Sequence, residues 1–185
     1  MRDVADLTFM MKSMMNGIIL NPPGRTGSRG RSLLVLLVFV ILVAVASATA
    51  SSVTLPQIGG WYASLEKPWF NPPNWLFGPV WTVLYAMMAI AGWLVWRERG
   101  LNGARGAMTL FGLQLALNIL WSLIFFGLES PGAAFVEIAA LWLAVAATLV
   151  AFRRIKPLAG WLFVPYLLWV SYAAVLNGAV WWLNG

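Results

Sequence analysis

Neither histidine nor cysteine occurs in this chain of 185 residues, and only six residues are acidic. The two absences exclude zinc centres, disulfides, Ser-His-Asp and Cys-His nucleophile systems, and the usual axial ligands of haem iron. No acid-base pair or metal-ligand set points to hydrolysis or group transfer, so the residues favour a binding protein over an enzyme and require no obligatory cofactor. Charge is scarce as well: 10% of the chain is charged and 61% hydrophobic, against a charged share of roughly a quarter in soluble domains. That composition is a membrane protein's. The net charge of +6 does not imply nucleic acid, because Lys and Arg fall between apolar runs rather than along one basic stripe.

Tryptophan is what the chain has in excess. There are twelve, several within Lys67-Pro68-Trp69-Phe70-Asn71-Pro72-Pro73-Asn74-Trp75-Leu76-Phe77-Gly78-Pro79-Val80-Trp81. A segment so dense in proline is expected to form a stiff, ring-rich loop rather than a helix or central strand.

Five apolar stretches reach the roughly 20 residues that a helix needs to span hydrocarbon. They fall at Leu33–Val53, Pro79–Trp96, Arg105–Gly127, Pro131–Phe152 and Pro157–Leu183. Irregular backbone is not tolerated in lipid, so the expected fold is an all-α, five-transmembrane-helix bundle over residues 33–185, with the Pro/Trp-rich loop between helices 1 and 2. A rival reading of the first stretch is a signal peptide, with small-residue cleavage sites at Ala46-Ser47-Ala48 and Ala48-Thr49-Ala50. Residues 1–32 read as a basic, disordered cytoplasmic tail or partly a misassigned start. Counted by side, the tail carries five basic residues, the second loop three (Arg97, Arg99, Arg105) and the fourth loop three (Arg153, Arg154, Lys156), against Lys67 alone. The positive-inside rule then places the N-terminus in the cytoplasm and the aromatic loop and C-terminus outside. This fits a bacterial inner membrane.

Helical spacing gathers polar groups. Gln114, Asn118 and Trp121 share one face of the third stretch, Tyr166, Trp169, Ala173 and Asn177 one face of the fifth, and Trp81 and Tyr85 lie one turn apart in the second. Amides in hydrocarbon need partners, so these faces are expected to look into the bundle or at a ligand. Chain direction sets most of them in the outward half of the membrane, under the loop. The expectation is a pocket roofed by Trp61, Tyr62, Trp69 and Trp75. For Trp93, Trp96, Trp161, Trp181 and Trp182, near stretch ends, an interfacial anchor role is expected instead. Glu137 lies about 9 Å into the fourth stretch and is either a functional carboxylate or one that reaches water at the interface. Pro165 is expected within the fifth helix, where it frees a carbonyl. Small residues spaced by four, Gly112 and Ala116, then Ala140, Ala144 and Thr148, permit close helix approach within one chain or between two.

Taken together, the motifs Trp61-Tyr62, Lys67 to Pro73 with Trp75, Pro79-Val80-Trp81-Thr82-Val83-Leu84-Tyr85, Gln114 to Trp121 and Val164-Pro165-Tyr166-Leu167-Leu168-Trp169 resemble the translocator protein family. This family (TspO/MBR) is also called the tryptophan-rich sensory proteins or peripheral benzodiazepine receptors. The resemblance runs from about Leu33 to Trp182. It implies a five-helix bundle, usually a homodimer, that binds porphyrins, sterols and isoquinoline ligands under its first long loop. Carried over by motif, Trp81, Asn118, Trp169 and Ala173 are pocket positions, with Trp61 and Tyr62 in the lid. The family's cholesterol-binding members carry a C-terminal apolar-Tyr-basic pattern, and Asn177 to Gly185 here has neither Tyr nor a basic residue, so a tetrapyrrole such as protoporphyrin IX is the expected ligand. Without His or Cys, a free-base porphyrin should bind at least as well as haem. Three functions follow: a sensor or regulator, a carrier of porphyrin-type or sterol and lipid ligands, or a light-dependent protoporphyrin-degrading enzyme using Trp81 and Trp169, the last resting on the resemblance alone.

Overall fold

Backbone N–H and C=O groups that face lipid must be satisfied within their own segment, which a helix does. In the computed structural model, which describes residues 29–185, each long apolar run is accordingly helical. The first span is α1 (Arg29–Ile58). A short helix, α2 (Trp61–Ser64), opens the connection to the second span. A 3₁₀ turn, Asn74–Leu76, leads directly into α3 (Phe77–Gly103). The third span is α4 (Arg105–Ser122), which continues as a π-helical turn, Leu123–Gly127. The fourth is α5 (Pro131–Ile155), and the fifth is made of α6 (Pro157–Trp161) and α7 (Val164–Asn184). All five units are long and apolar enough to cross a membrane.

Several boundaries differ from the expectation for local reasons. Arg29 to Ser32, the first described residues, are already helical and belong to the first span; the remainder of the expected tail, residues 1–28, lies outside the described residues. The proline-aromatic loop is irregular only from Leu65 to Pro73, because Pro79 falls in the first turn of α3, where its missing N–H has no intrahelical acceptor to lose. Pro165 likewise falls in a first helical turn rather than mid-helix. The helix stops at Trp161, turns at Leu162-Phe163 and restarts at Val164, with Pro165 in the new first turn. Gly100 adopts φ 64° inside α3, a left-handed conformation that glycine enters at little cost.

At the arginine-bearing end the bundle packs around aromatic rings. Phe111 stacks on Phe152 at 5.8 Å, and Phe163 meets both edge-on. Trp96, expected to be an interfacial anchor, is instead completely buried in this core, whereas Trp161, Trp181 and Trp182 are exposed. Trp93 is half-buried and donates its indole N–H to the Ser32 carbonyl at 3.0 Å, tying α3 to α1. The first span is integral to the bundle, with Val35, Phe39, Val43 and Ala46 in the core and Phe39 edge-on to Phe111. It approaches α3 so closely that a methyl group at Gly92 would lie 2.6 Å from the Phe39 ring. A removable leader would take a wall of the core with it.

Candidate functional site beneath the loop

At the opposite end the spans diverge around a cavity of about 490 Å³. Its walls are the last third of α1, the first turns of α3, the end of α4 with its π turn, and the middle of α7. The fourth span, α5, contributes nothing to the lining. Tyr62 from α2, with Asn74 and Trp75, closes the top. Leu55, Trp75, Gly78 and Thr82 are lining residues that are also exposed, which places a mouth between the first and second spans.

The polar groups on the walls form short hydrogen-bond chains. Tyr85 donates its hydroxyl to Asn118 Oδ1 at 2.6 Å, and Asn118 Nδ2 donates to the Tyr166 hydroxyl oxygen at 3.2 Å. One amide thus joins α3, α4 and α7. Trp121 donates its indole N–H to Asn177 Oδ1 at 3.1 Å, and Asn177 Nδ2 donates to the Pro131 carbonyl at 2.8 Å. Rings cover the rest: Trp81 lies 5.4 Å from Tyr85, and Trp169 lies 6.0 Å from Phe77 and 5.6 Å from Tyr172.

The π turn has a specific effect at this end. The turn is closed by Leu128 N–H donating to the Leu123 carbonyl at 2.9 Å and carries the consecutive Phe125 and Phe126, whose rings lie 4.8 Å apart. Both rings line the cavity and pack against Tyr62. Such turns are uncommon and concentrate at functional sites. The lid rests on this cluster and is fastened above it. Tyr62 donates to Asn71 Oδ1 at 2.9 Å, Tyr172 donates to the Phe70 carbonyl at 2.8 Å, and Asn184 makes a reciprocal pair with the Glu66 backbone, 2.9 Å each way. Burial, with Tyr172 nearby, pushes the Tyr62 phenol up to about 12.

The chain that builds this five-span bundle is similar to known sequences. The profile of the TspO/MBR family matches residues 36–183. The chain belongs to the TspO/MBR family. Its relatives include the tryptophan-rich protein TspO of Archaeoglobus fulgidus, 45% identical over 134 residues, covering 72% of this chain and 86% of the relative. The tryptophan-rich sensory protein of Cereibacter sphaeroides is 42% identical over 130 residues, covering 70% and 80%. The human translocator protein is 44% identical over 124 residues, covering 65% and 73%. With five membrane-capable helices, this TspO/MBR chain is an integral membrane protein.

Of the residues expected at the site of this TspO/MBR protein, Trp81, Tyr85, Asn118, Trp121, Trp169, Ala173 and Asn177 line the cavity. Gln114 and Tyr166 do not. Tyr166 is fully buried behind the wall, holding Asn118. Gln114 lies one turn along α4 toward the arginine end, with Nε2 3.9 Å from Met88 Sδ and Oε1 without a hydrogen-bond partner among the described residues. In the lid, Tyr62 and Trp75 reach the cavity. Trp61 packs outside it on Phe125, and Trp69 is 95% exposed, turned away from the bundle. Glu137 does not reach water: it is buried on α5, and neither carboxylate oxygen has a hydrogen-bond partner among the described residues.

The sequence reading missed α1 altogether as a wall. Ser47, Ala50, Ser51, Thr54, Leu55 and Ile58 line the cavity. The signal was present, since Ser47, Ser51 and Thr54 are hydroxyls at i, i+4 and i+7 of a spanning helix. Of these, Ser47 also falls within the candidate cleavage site Ala46-Ser47-Ala48.

Proposed function

We propose that this TspO/MBR protein binds flat, hydrophobic ligands of the tetrapyrrole class, protoporphyrin IX being the reference compound, and acts as a sensor or carrier of them. One observation carries the reading: Trp81 and Trp169 line a cavity whose wall carries the amide-bridged pair Tyr85 and Asn118, under an aromatic lid. Its 490 Å³ falls within the roughly 300–1,000 Å³ usual for small-molecule sites. Each ring-on-ring contact with an aromatic ligand contributes about 0.5–1.5 kcal/mol beyond burial. A mouth between the first two spans suits a ligand that arrives dissolved in lipid. The relatives' names, sensory protein and translocator protein, agree with a binding role and leave sensing and carriage to experiment.

The same reading includes a cytoplasmic N-terminus, an outward lid and a bacterial inner membrane, from the charge asymmetry. It also includes a homodimer through Gly112 and Ala116, which are exposed on the outer surface of α4 with nothing within 4 Å of a methyl group placed at Gly112. Ala144 and Thr148 are not available for such a contact, since both are buried within the chain.

The test is a titration of purified protein in detergent with protoporphyrin IX, in darkness and then in light, following tryptophan quenching and porphyrin absorbance. Saturable quenching that Asn118→Ala and Trp169→Phe both weaken, with a stable absorbance band, is the expected result. Loss of the porphyrin band in light alone, abolished by Trp169→Phe, would replace binding by catalysis. Absence of saturable quenching would sink the tetrapyrrole reading.

A further inference from the structure

Glu137 is the one acidic residue buried within a span among the described residues, and the cavity beneath the loop does not use it, since α5 contributes nothing to the lining. Its side chain is shielded, and both carboxyl oxygens lack a hydrogen-bond partner among the described residues. A buried polar group left in this way calls for a physical reason, and an ionisable one inside a span more so.

No cation faces it. The elements packed against α5 are α3, α4 with its π turn, α6 and α7. Their charged groups, Arg97, Glu98 and Arg99 on α3 and Arg105 on α4, lie at the opposite end of the bundle, as do Arg153 and Arg154 of α5 itself, about 24 Å further along that helix. Lys156 is held there by Glu98 at 3.1 Å. At the lid end the single cation, Lys67, donates to the Ala63 and Leu65 carbonyls, and Glu129, in the loop before α5, is exposed. An ionised carboxylate at Glu137 would have neither donor nor counter-charge, and a carboxyl so placed takes up a proton instead. The other titratable groups on the packed elements are tyrosines. Tyr85 donates to Asn118 and Tyr172 to the Phe70 carbonyl. Tyr166 accepts from Asn118, its own hydrogen has no acceptor among the described residues, and its phenol interacts electrostatically with Glu137. The bonds thus run one way, from Tyr85 through Asn118 to Tyr166. The donor left over at the end of the chain is the Tyr166 hydrogen, and the acceptor left over in its neighbourhood is the Glu137 carboxyl.

We infer that Glu137 is a proton-binding site, an uncharged carboxyl joined to the Tyr166 hydroxyl through one enclosed water, and that it closes a hydrogen-bond chain reaching from the cavity wall across four spans. An enclosed water bridges such a gap at little cost. Hydrogen bonds in series polarise one another. Tyr85 and Asn118 line the cavity, so a ligand that draws on either side chain changes the strength of the Tyr166 donor and, through it, the state of Glu137. Linkage is reciprocal, so the proton on Glu137 in turn changes ligand affinity. The proton site itself does not depend on which ligand the cavity takes.

Infrared spectroscopy of the full chain at pH 7, in a maltoside detergent that has no carbonyl of its own, tests this against Glu137→Gln. The wild type is expected to show the carbonyl band of an un-ionised carboxyl, and the variant, which exchanges one uncharged group for another of similar shape, to lose that band with its helix content unchanged. Tyr166→Phe should shift the band to higher frequency, as loss of a hydrogen bond to a carbonyl does. Saturating protoporphyrin IX dimethyl ester, with the spectrum of the Glu137→Gln complex subtracted, should shift it as well. Isotope labelling of the glutamate side-chain carboxyls gives the first reading in the wild type alone, where one of the four glutamates should be un-ionised. No un-ionised glutamate overturns the proton site, a band that Tyr166→Phe leaves in place overturns the chain, and a band unmoved by bound porphyrin overturns the link to the cavity. An un-ionised Glu137 without saturable porphyrin binding would retain the proton site and discard the tetrapyrrole function, and saturable porphyrin binding with every glutamate ionised would do the reverse.

Discussion

Asn118 is the residue on which most of the site depends. Its amide accepts from Tyr85 and donates to Tyr166, so both phenols keep a partner inside an apolar bundle. Asn118→Ala removes both partners at once, and each buried polar group left alone costs about 1–3 kcal/mol. We expect a stability loss on the order of 2 kcal/mol in reversible unfolding, separate from any loss of ligand. An unchanged unfolding midpoint would mean that the two hydroxyls find other acceptors. Tyr62 makes a second prediction, for pH. Its phenol must be protonated to donate to Asn71, and its folded value of about 12 exceeds the usual value near 10. The contribution of that bond to lid closure is therefore complete below about pH 10 and disappears as pH rises through about 12. Ligand affinity should be flat from neutral pH upward until that window and then fall. Tyr62→Phe should show no such step, and an equal step in the variant would assign it to another group.

Among the elements, α7 does two tasks. Its middle supplies Trp169, Ala173 and Asn177 to the cavity, and it also holds the lid, through Tyr172 to Phe70 and through Asn184 to the Glu66 backbone. A loop stiffened by proline needs few such ties, and Asn184 provides two of them in one side chain. At a net value of about 1 kcal/mol for each hydrogen bond, Asn184→Ala should loosen the lid without unfolding a span. Amide exchange of residues 65–71 should quicken while that of the α4 and α5 cores stays as it was, and bound ligand should dissociate several-fold faster. Exchange that quickens equally in the spans would show Asn184 to be a general stabilising residue. The π turn at the end of α4 is the counterpart below the lid, since it carries Phe125 and Phe126, both of which pack against Tyr62.

For the whole molecule, the absence of cysteine makes sidedness directly measurable. Glu66→Cys on the lid and Arg99→Cys at the opposite end introduce single thiols at exposed positions. In intact cells a membrane-impermeant maleimide should label the first and spare the second, and the reverse pattern would invert the proposed orientation. Much of this architecture is legible in the amino-acid sequence. Hydropathy over about 20 residues and the distribution of Lys and Arg are properties of short windows, so the number of spans, the grouping of charge at one end and the polar stripes of α4 and α7 can be read from the chain alone. The proline-tryptophan loop is legible for the same reason, since proline acts on its immediate neighbours. How the helices rotate about their axes and where they touch is decided by packing between residues far apart in sequence. Only the tertiary structure, therefore, buries Trp96 while turning Trp69 outward, seals Glu137 within α5's buried face, moves Gln114 below the cavity and brings the hydroxyls of α1 to face it. Each outcome depends on which neighbouring helix fills the space beside the side chain, and no local pattern carries that information.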